Sequence, residues 1–314
     1  MKKKVIKYAG NVLMLISVIF ICWKIVHMDI NYSEILTISG IINITVMSFI
    51  YGILLILMSS SWWQIVSVIS GKTVRFRLAA KIYCKSNLLK YIPGNVFQYV
   101  GRNELADKVK VSHTDVAMAT GVDIVLQTLS FFLVSILFCG YGLIKVVRES
   151  VFLQLFLPLG IFGAIVIIFI VIKIYGRKHK EKLDYYRSLV SKKNMGVLLK
   201  CILCYSLIAI MFGLIYLYIV CNMQNIHLQF NQYIQVFGTF ILSWLFGYIT
   251  PGAPGGIGIR EMVLTILLGS TFDISPFLAA IVIYRFINTF GDIFAYLITL
   301  VAQCKYNKFM RCQR

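Results

Sequence analysis

The sequence predicts an all-α polytopic membrane protein with an inverted internal repeat, and three observations support this. Of its 314 residues, 59% are hydrophobic and only 14% are charged, whereas soluble domains carry about 25% charged residues. Several mostly apolar runs of about 18 residues or more are long enough to cross a hydrocarbon core of about 30 Å. A Pro-Gly break interrupts the apolar pattern twice. We therefore treat residues 1–314 as a single membrane domain.

Six full spans follow from the apolar runs. They are predicted at about residues 8–27, 38–69, 116–141, 151–174, 197–221 and 275–302. The first follows a lysine-rich start but no small-residue cleavage site, so we interpret it as a retained span rather than a signal peptide. Two further helical arms are predicted at 73–90 and 231–249. The first arm alternates basic and apolar residues, which is typical of a helix at the headgroup level or of the outer part of a re-entrant arm.

The second break lies in the stretch YITPGAPGGIGIREMVLTILL, residues 248–268. Proline lacks a backbone donor and glycine favours non-helical dihedrals, so no single helix can run through it. At membrane depth such backbone is tolerated only where protein or a water-filled cavity covers it, and in carriers it lines the substrate site. We interpret it as a re-entrant hairpin; the alternative is a surface loop between two short helices. The break residues are Pro251, Gly252, Pro254, Gly255 and Gly256.

The first break, in YIPGNVFQYVGRNEL at residues 91–105, repeats this pattern. A shift of 158 positions pairs Pro93 with Pro251, Gly94 with Gly252 and Arg102 with Arg260. A repeat of this kind is typical of two-fold transporter architectures. It places repeat 1 at 36–147 and repeat 2 at 197–302, with a basic cytoplasmic linker at 175–200. The alternative is a chance similarity between two Pro-Gly turns.

The distribution of Lys and Arg predicts the orientation. If both termini are cytoplasmic and the two hairpins enter from opposite faces, 26 of the 31 basic residues are cytoplasmic and only three are outside. This bias follows the positive-inside rule and makes the repeats inverted. It predicts a multi-pass protein of the cytoplasmic membrane. Eight full crossings would place the termini on the same side, so charge does not separate the two arrangements.

The net charge of +19 does not indicate nucleic-acid binding, because the basic residues lie next to apolar spans. Membrane lipids with anionic headgroups are the expected partners. Eight scattered cysteines and no paired-acid motif give no basis for a metal site, and no cofactor is expected. Walker A, HExxH and GxSxG motifs are absent from the sequence, so enzymatic activity is not the first expectation.

Charged residues within the membrane predict the binding site, because each costs roughly 2.5–3.5 kcal/mol at a helix centre unless it is paired or lines a polar cavity. Residues 285, 288, 289 and 292 share one helical face of the last span. The alternative is that these groups only hold helices together, and Arg102 has the further alternative of an ordinary cytoplasmic charge. The predicted headgroup-binding residues are Arg260, Glu261, Arg285, Asn288, Asp292, Asp123 and Arg102.

Arginine beside a glycine-rich break favours a phosphate ligand. Guanidinium forms bidentate hydrogen bonds to phosphate, and a half-helix N-terminus adds free amides and the positive end of a dipole. No ATP-binding motif is present, so movement of a ligand would be downhill or coupled to an ion. Asp123 and Asp292 are the candidate proton carriers.

The motifs YIPGNVFQYVGR, TPGAPGGIGIRE and YRFINTFGD together resemble the membrane region of lysylphosphatidylglycerol synthase/flippases. The resemblance implies movement of lipid between leaflets. Synthase activity is not expected, since the sequence shows no cytosolic aminoacyltransferase domain. The hypothesis is a translocase for an anionic phospholipid, an aminoacyl-phospholipid or a polyprenyl-phosphate-linked lipid. The alternatives are a membrane-embedded transferase and a non-transporting scaffold that binds envelope-assembly proteins.

Overall fold

The computed structural model describes residues 37–91, 97–109, 111–149, 192–250 and 254–312, and within these ranges the chain is helical with no strand. The predicted first and fourth spans lie outside the described residues, as does most of the basic linker at 175–200. Four of the predicted break residues also lie outside them, namely Pro93, Gly94, Pro251 and Gly252.

The described helices agree closely with the predicted apolar runs. They are α1 (Ile38–Ser70), α2 (Phe76–Asn87), α3 (Phe97–Gly101), α4 (Glu104–Val109), α5 (His113–Glu149), α6 (Lys192–Tyr218), α7 (Phe230–Ile249), α8 (Ile259–Leu268) and α9 (Ser275–Cys312). Two 3₁₀ turns, Leu88–Tyr91 and Pro254–Gly256, lie next to the two breaks, and a π-helical turn, Ile219–Met223, extends α6.

Four of the described helices are long and apolar enough to cross a membrane: α1, α5, α6 and α9. Their most apolar windows have mean hydropathies of 2.4, 2.1, 2.3 and 1.5. In contrast, α8 has 10 residues, which is a length of about 15 Å at 1.5 Å per residue. This is half of a hydrocarbon core of about 30 Å. The length of α8 favours a re-entrant hairpin at the second break, while the total number of spans stays a prediction.

The packing of the helices relates the two halves of the chain. Helix α9 packs along α1 and against α2, and α5 packs along α6 and against α7. Each shorter arm therefore lies on the last long helix of the other half. The same order of a long helix, an arm, a break, short helical structure and a long helix occurs in both halves, with two short helices in the first half and one in the second. An inverted two-fold relation between them stays a prediction.

Glycines bring helices of the two halves into backbone contact. A Cβ added at Gly52 of α1 would lie 2.9 Å from the carbonyl oxygen of Gly291 in α9. A Cβ added at Gly238 of α7 would lie 2.5 Å from the backbone nitrogen of Cys139 in α5. Apolar side chains gain little from leaving lipid, so close packing through small residues is what holds membrane helices together. These contacts position α5 and α9, which carry the two buried aspartates.

Candidate functional site

The second break folds α8 back onto the end of α7. Gly255, Gly256 and Gly258 have φ angles of +62°, +72° and +83°, a region that residues with a side chain seldom adopt. A Cβ added at Gly256 would lie 2.7 Å from the Cα of Gly247 in α7. Glycine at these positions allows this return path, which buries Arg260 in the first turn of α8 while the N-cap residue Gly258 stays exposed.

Arg260 lies in the first turn of α8 and is 6% exposed. The guanidinium carbon lies 5.7 Å from the ring centroid of Trp244, and a Cβ added at Gly247 would lie 2.8 Å from Arg260 Nε. Neither Nε nor Nη1 has a hydrogen-bond partner among the described residues. A buried charge without a partner is expensive. The position therefore suits an anion that the described part of the chain does not supply.

Glu261, the next residue, does not serve as that anion. Its Oε1 lies 2.6 Å from Arg285 Nη2, and its Oε2 accepts a hydrogen bond of 3.0 Å from the Gly258 backbone N–H. A carboxylate in this position also interacts favourably with the positive end of the helix dipole. Glu261 thus caps α8 and ties it to α9, and its charge is matched by Arg285.

Asp292 of α9 is fully buried and holds the residues that precede the first break. One carboxylate oxygen accepts from Asn87 Nδ2 at 2.8 Å. The other accepts from the Tyr91 hydroxyl at 2.6 Å and lies 2.7 Å from Lys90 Nζ. The Lys90 ammonium also lies 5.3 Å and 6.0 Å from the ring centroids of Tyr91 and Tyr51. The segment that leads into the first break is therefore anchored to the last helix through one carboxylate.

The described residues that flank the two breaks approach each other. A Cβ added at Gly255 would lie 3.9 Å from Cε1 of Tyr91, which follows Lys90, and Arg285 pairs with Glu261, the residue next to Arg260. Three cations and two carboxylates thus lie in one region with a formal net charge of +1, in which Arg260 and Asp292 are buried and the other three side chains are partly exposed. We name this set the Arg260 cluster; its members are Lys90, Arg260, Glu261, Arg285 and Asp292.

Arg102 and Asp123 form a separate buried pair. Arg102 Nη1 donates to Asp123 Oδ2 at 2.7 Å, and the Tyr205 hydroxyl donates to Oδ1. The Arg102 guanidinium carbon lies 4.2 Å from the ring centroid of Tyr83. Arg102 is only 2% exposed, so its interpretation as an ordinary cytoplasmic charge is wrong. The pair ties the segment after the first break to α5 and α6.

The two copies of the break differ in whether the equivalent position of the following long helix supplies a carboxylate to the arginine. Arg102 and Arg260 are equivalent under the shift of 158 positions, and that shift places Ile281 where the first half has Asp123. The carboxylate that neutralises the first arginine has no acidic counterpart at this position in the second half. Arg260 Nε and Nη1 accordingly have no hydrogen-bond partner among the described residues.

The structure brings together most of the predicted site residues. Arg260, Glu261, Arg285 and Asp292 belong to the Arg260 cluster, and the buried Asn288 lies on the same face of α9 between its two members on that helix. Asn288 Oδ1 has no hydrogen-bond partner in the described part of the chain. Asp123 and Arg102 are brought together elsewhere.

Sequence reasoning missed three residues of the first half, namely Asn87, Lys90 and Tyr91. Lys90 was grouped with the basic face of the arm at 73–90, although its Nζ contacts a buried carboxylate. Lys90 differs from the other basic residues of the arm in its position, because it comes immediately before the first break.

A family model described as the lysylphosphatidylglycerol synthase TM region matches residues 14–295. The chain belongs to this family. The match covers both breaks and every predicted site residue, and it confirms the resemblance seen in the motifs. Membership, together with the four apolar helices, identifies a multi-pass membrane protein. A search of curated proteins and a search of solved structures each find no significant match.

Proposed function

We propose that this protein is a lipid translocase of the cytoplasmic membrane with both termini cytoplasmic, and that Arg260 binds the phosphate of an anionic lipid. The observation that carries the proposal is the buried Arg260 guanidinium, whose Nε and Nη1 have no partner among the described residues. Guanidinium binds phosphate in a bidentate manner. The N-terminus of α8 adds backbone amides and the positive end of a helix dipole.

The two faces of α8 support a lipid over a free anion. Arg260, Leu264 and Leu267 are buried, whereas Met262 and Ile266 are 52% and 48% exposed. The helix thus presents an apolar face outward and its cation inward. A phospholipid fits this arrangement, because its headgroup can reach Arg260 while its acyl chains stay beside the exposed apolar face.

The charge of the Arg260 cluster supports a lipid anion as ligand. Its three cations and two carboxylates leave one net positive charge beside the buried Arg260, and one phosphodiester would neutralise it. Membership of the family supports a substrate related to lipid synthesis or flipping. The proposal includes an anionic phospholipid, an aminoacyl-phospholipid and a polyprenyl-phosphate-linked lipid.

The test is translocation of a fluorescent phosphatidylglycerol in proteoliposomes. We expect Arg260→Gln to lower the rate by about tenfold or more, since hydrogen bonds to charged groups contribute about 1.5–3 kcal/mol. Because no carboxylate in the described part of the chain pairs with Arg260, its removal leaves no orphaned anion, and the variant is expected to fold. The exposed Arg77 of α2 provides a matched control: Arg77→Gln keeps the wild-type rate. A folded Arg260→Gln protein with the wild-type rate would refute the proposal.

The same preparation separates the two alternative functions. A transferase would form a new lipid product when a donor is supplied to the purified protein. A scaffold for envelope-assembly proteins would show no translocation by the isolated protein, and its deletion would destabilise a partner. Translocation by the wild-type protein alone, lost in Arg260→Gln, contradicts both alternatives.

A further inference from the structure

Lys90 pairs with Asp292 and lies beside the residues that lead into α8. Its Nζ is 2.7 Å from Asp292, and a Cβ added at Gly255, which shortly precedes Arg260, would lie 3.9 Å from Cε1 of the adjacent Tyr91. A lysine ammonium has three donors on a flexible four-carbon stem, so it can exchange one oxygen ligand for another by side-chain rotation. A phosphate bound to Arg260 would therefore compete with Asp292 for Lys90.

Asp292 would lose its only nearby cation in this exchange, among the groups that the structure describes around it. The remaining hydrogen-bond donors are Asn87 Nδ2 and the Tyr91 hydroxyl, both neutral. The titratable groups that face the carboxylate from α1, α2, the first 3₁₀ turn and α9 are Tyr51, Cys84, Lys90, Tyr91 and Tyr284. A fully buried carboxylate without a cation is strongly disfavoured and binds a proton instead.

We propose that lipid phosphate bound at Arg260 draws Lys90 away from Asp292, and that Asp292 then takes up one proton, so that a lipid anion and a proton are bound together. This inference rests on the proposed function. Lys90 keeps its own proton throughout and only changes its acceptor. The proton of the new O–H bond at Asp292 comes from the aqueous phase, where the buffer acid releases it and becomes its conjugate base. One negative charge and one positive charge enter the site, so the step is electroneutral.

Asp123 is not suited to this role. Its two oxygens are bonded by Arg102 and by the Tyr205 hydroxyl, and the Arg102 guanidinium is held against the Tyr83 ring. Arg102 is enclosed within its own half of the chain, whereas Lys90 belongs to the Arg260 cluster. The exchange of partners is therefore available to Asp292 and not to Asp123.

The test measures proton uptake when short-chain phosphatidylglycerol binds to the purified protein in weakly buffered detergent. A pH indicator records the protons, and calorimetry records the lipid. We expect about one proton per bound lipid in the wild-type protein and an affinity that falls about tenfold per pH unit as pH rises. Asp292→Asn is expected to bind lipid with no proton uptake. Glu104→Gln, a carboxylate substitution outside the Arg260 cluster, is expected to behave as the wild-type protein.

Lys90→Met provides a second variant in case Asp292→Asn does not fold. Without the ammonium, Asp292 is protonated before lipid arrives, so lipid binding is expected to take up no proton. If lipid binds the wild-type protein without proton uptake, or if Asp292→Asn or Lys90→Met still takes up one proton per lipid, the coupling is refuted. If Arg260→Gln binds lipid with wild-type affinity, the proposed function itself fails.

Discussion

Arg102 and Asp123 lie 2.7 Å apart in a buried ion pair that fixes the segment after the first break against α5. Their equivalents in the second half are Arg260 and Ile281, and no ion pair forms there. Among the described residues, the first half therefore supplies a carboxylate to its arginine and the second half does not. The first pair holds the segment after the first break in place.

We predict that Asp123→Leu destabilises the protein by about 3–5 kcal/mol, because it leaves a buried arginine without its carboxylate. The double variant Arg102→Leu/Asp123→Leu is expected to recover a large part of this loss, since neither charge is then buried alone. Thermal unfolding in detergent compares the two. If the double variant loses more stability than the two single variants lose together, this role for the pair is contradicted.

We predict that Gly256→Ala lowers both the melting temperature and the translocation rate. Its φ of +72° disfavours any side chain, and the added Cβ would lie 2.7 Å from the Cα of Gly247. Gly121→Ala in α5 is the matched control, since nothing lies within 4 Å of its added Cβ. Alanine favours a helix over glycine by about 1 kcal/mol, so Gly121→Ala is expected to be neutral or stabilising. Equal effects of the two substitutions would refute the argument.

We predict that Glu261→Gln destabilises the protein by about 1.5–3 kcal/mol, because hydrogen bonds to charged groups contribute about this much. The amide can still accept from the Gly258 N–H, but Arg285 loses its counter-charge. The reversed pair Glu261→Arg/Arg285→Glu is expected to recover only part of the stability, since it places a cation at the N-terminus of α8. Chemical denaturation measures each step. Full recovery in the reversed pair would show that capping of α8 contributes nothing.

We predict that stability falls in acid partly through Glu104 of α4, which lies outside the four candidate spans. Burial alone would raise the pKa of Glu104, but Lys108 and Lys85 lower the pKa below its ordinary value of 4.5. Because the folded pKa is the lower one, the contribution is complete above the unfolded pKa and is lost as pH falls through the folded pKa. Melting temperatures between about pH 6 and pH 3 should therefore fall less in Glu104→Gln than in the wild-type protein. A parallel decline in both would exclude Glu104.

Periodicity and composition predicted the helices well, because apolar length and Pro-Gly breaks are local properties. The predicted span at 38–69 corresponds to α1 at Ile38–Ser70, and the predicted arm at 231–249 corresponds to α7 at Phe230–Ile249. The face of the last span that carries Arg285 and Asp292 was also visible, since it follows from helical spacing alone.

The pairing of charges was not predictable, because it depends on how the helices pack. Asp123 was assigned to the same polar group as the last span, whereas its carboxylate contacts Arg102 from the nearby first break. In the sequence Lys90 resembles the other basic residues of the first arm, and only the approach of α9 shows that it contacts Asp292. A single sequence shows which charges lie in apolar segments and are unfavourable to bury. Which of them neutralise each other depends on tertiary contacts.

The approach of Tyr91 to Gly255 has a consequence for how mutations should be distributed. The two residues lie beside each other, although 163 residues of chain separate them. A bulky replacement at Gly255 meets Tyr91, so we expect loss-of-function substitutions to fall into two distant sequence clusters with one common phenotype. Suppressor mutations of a defect in one cluster are then expected in the opposite cluster.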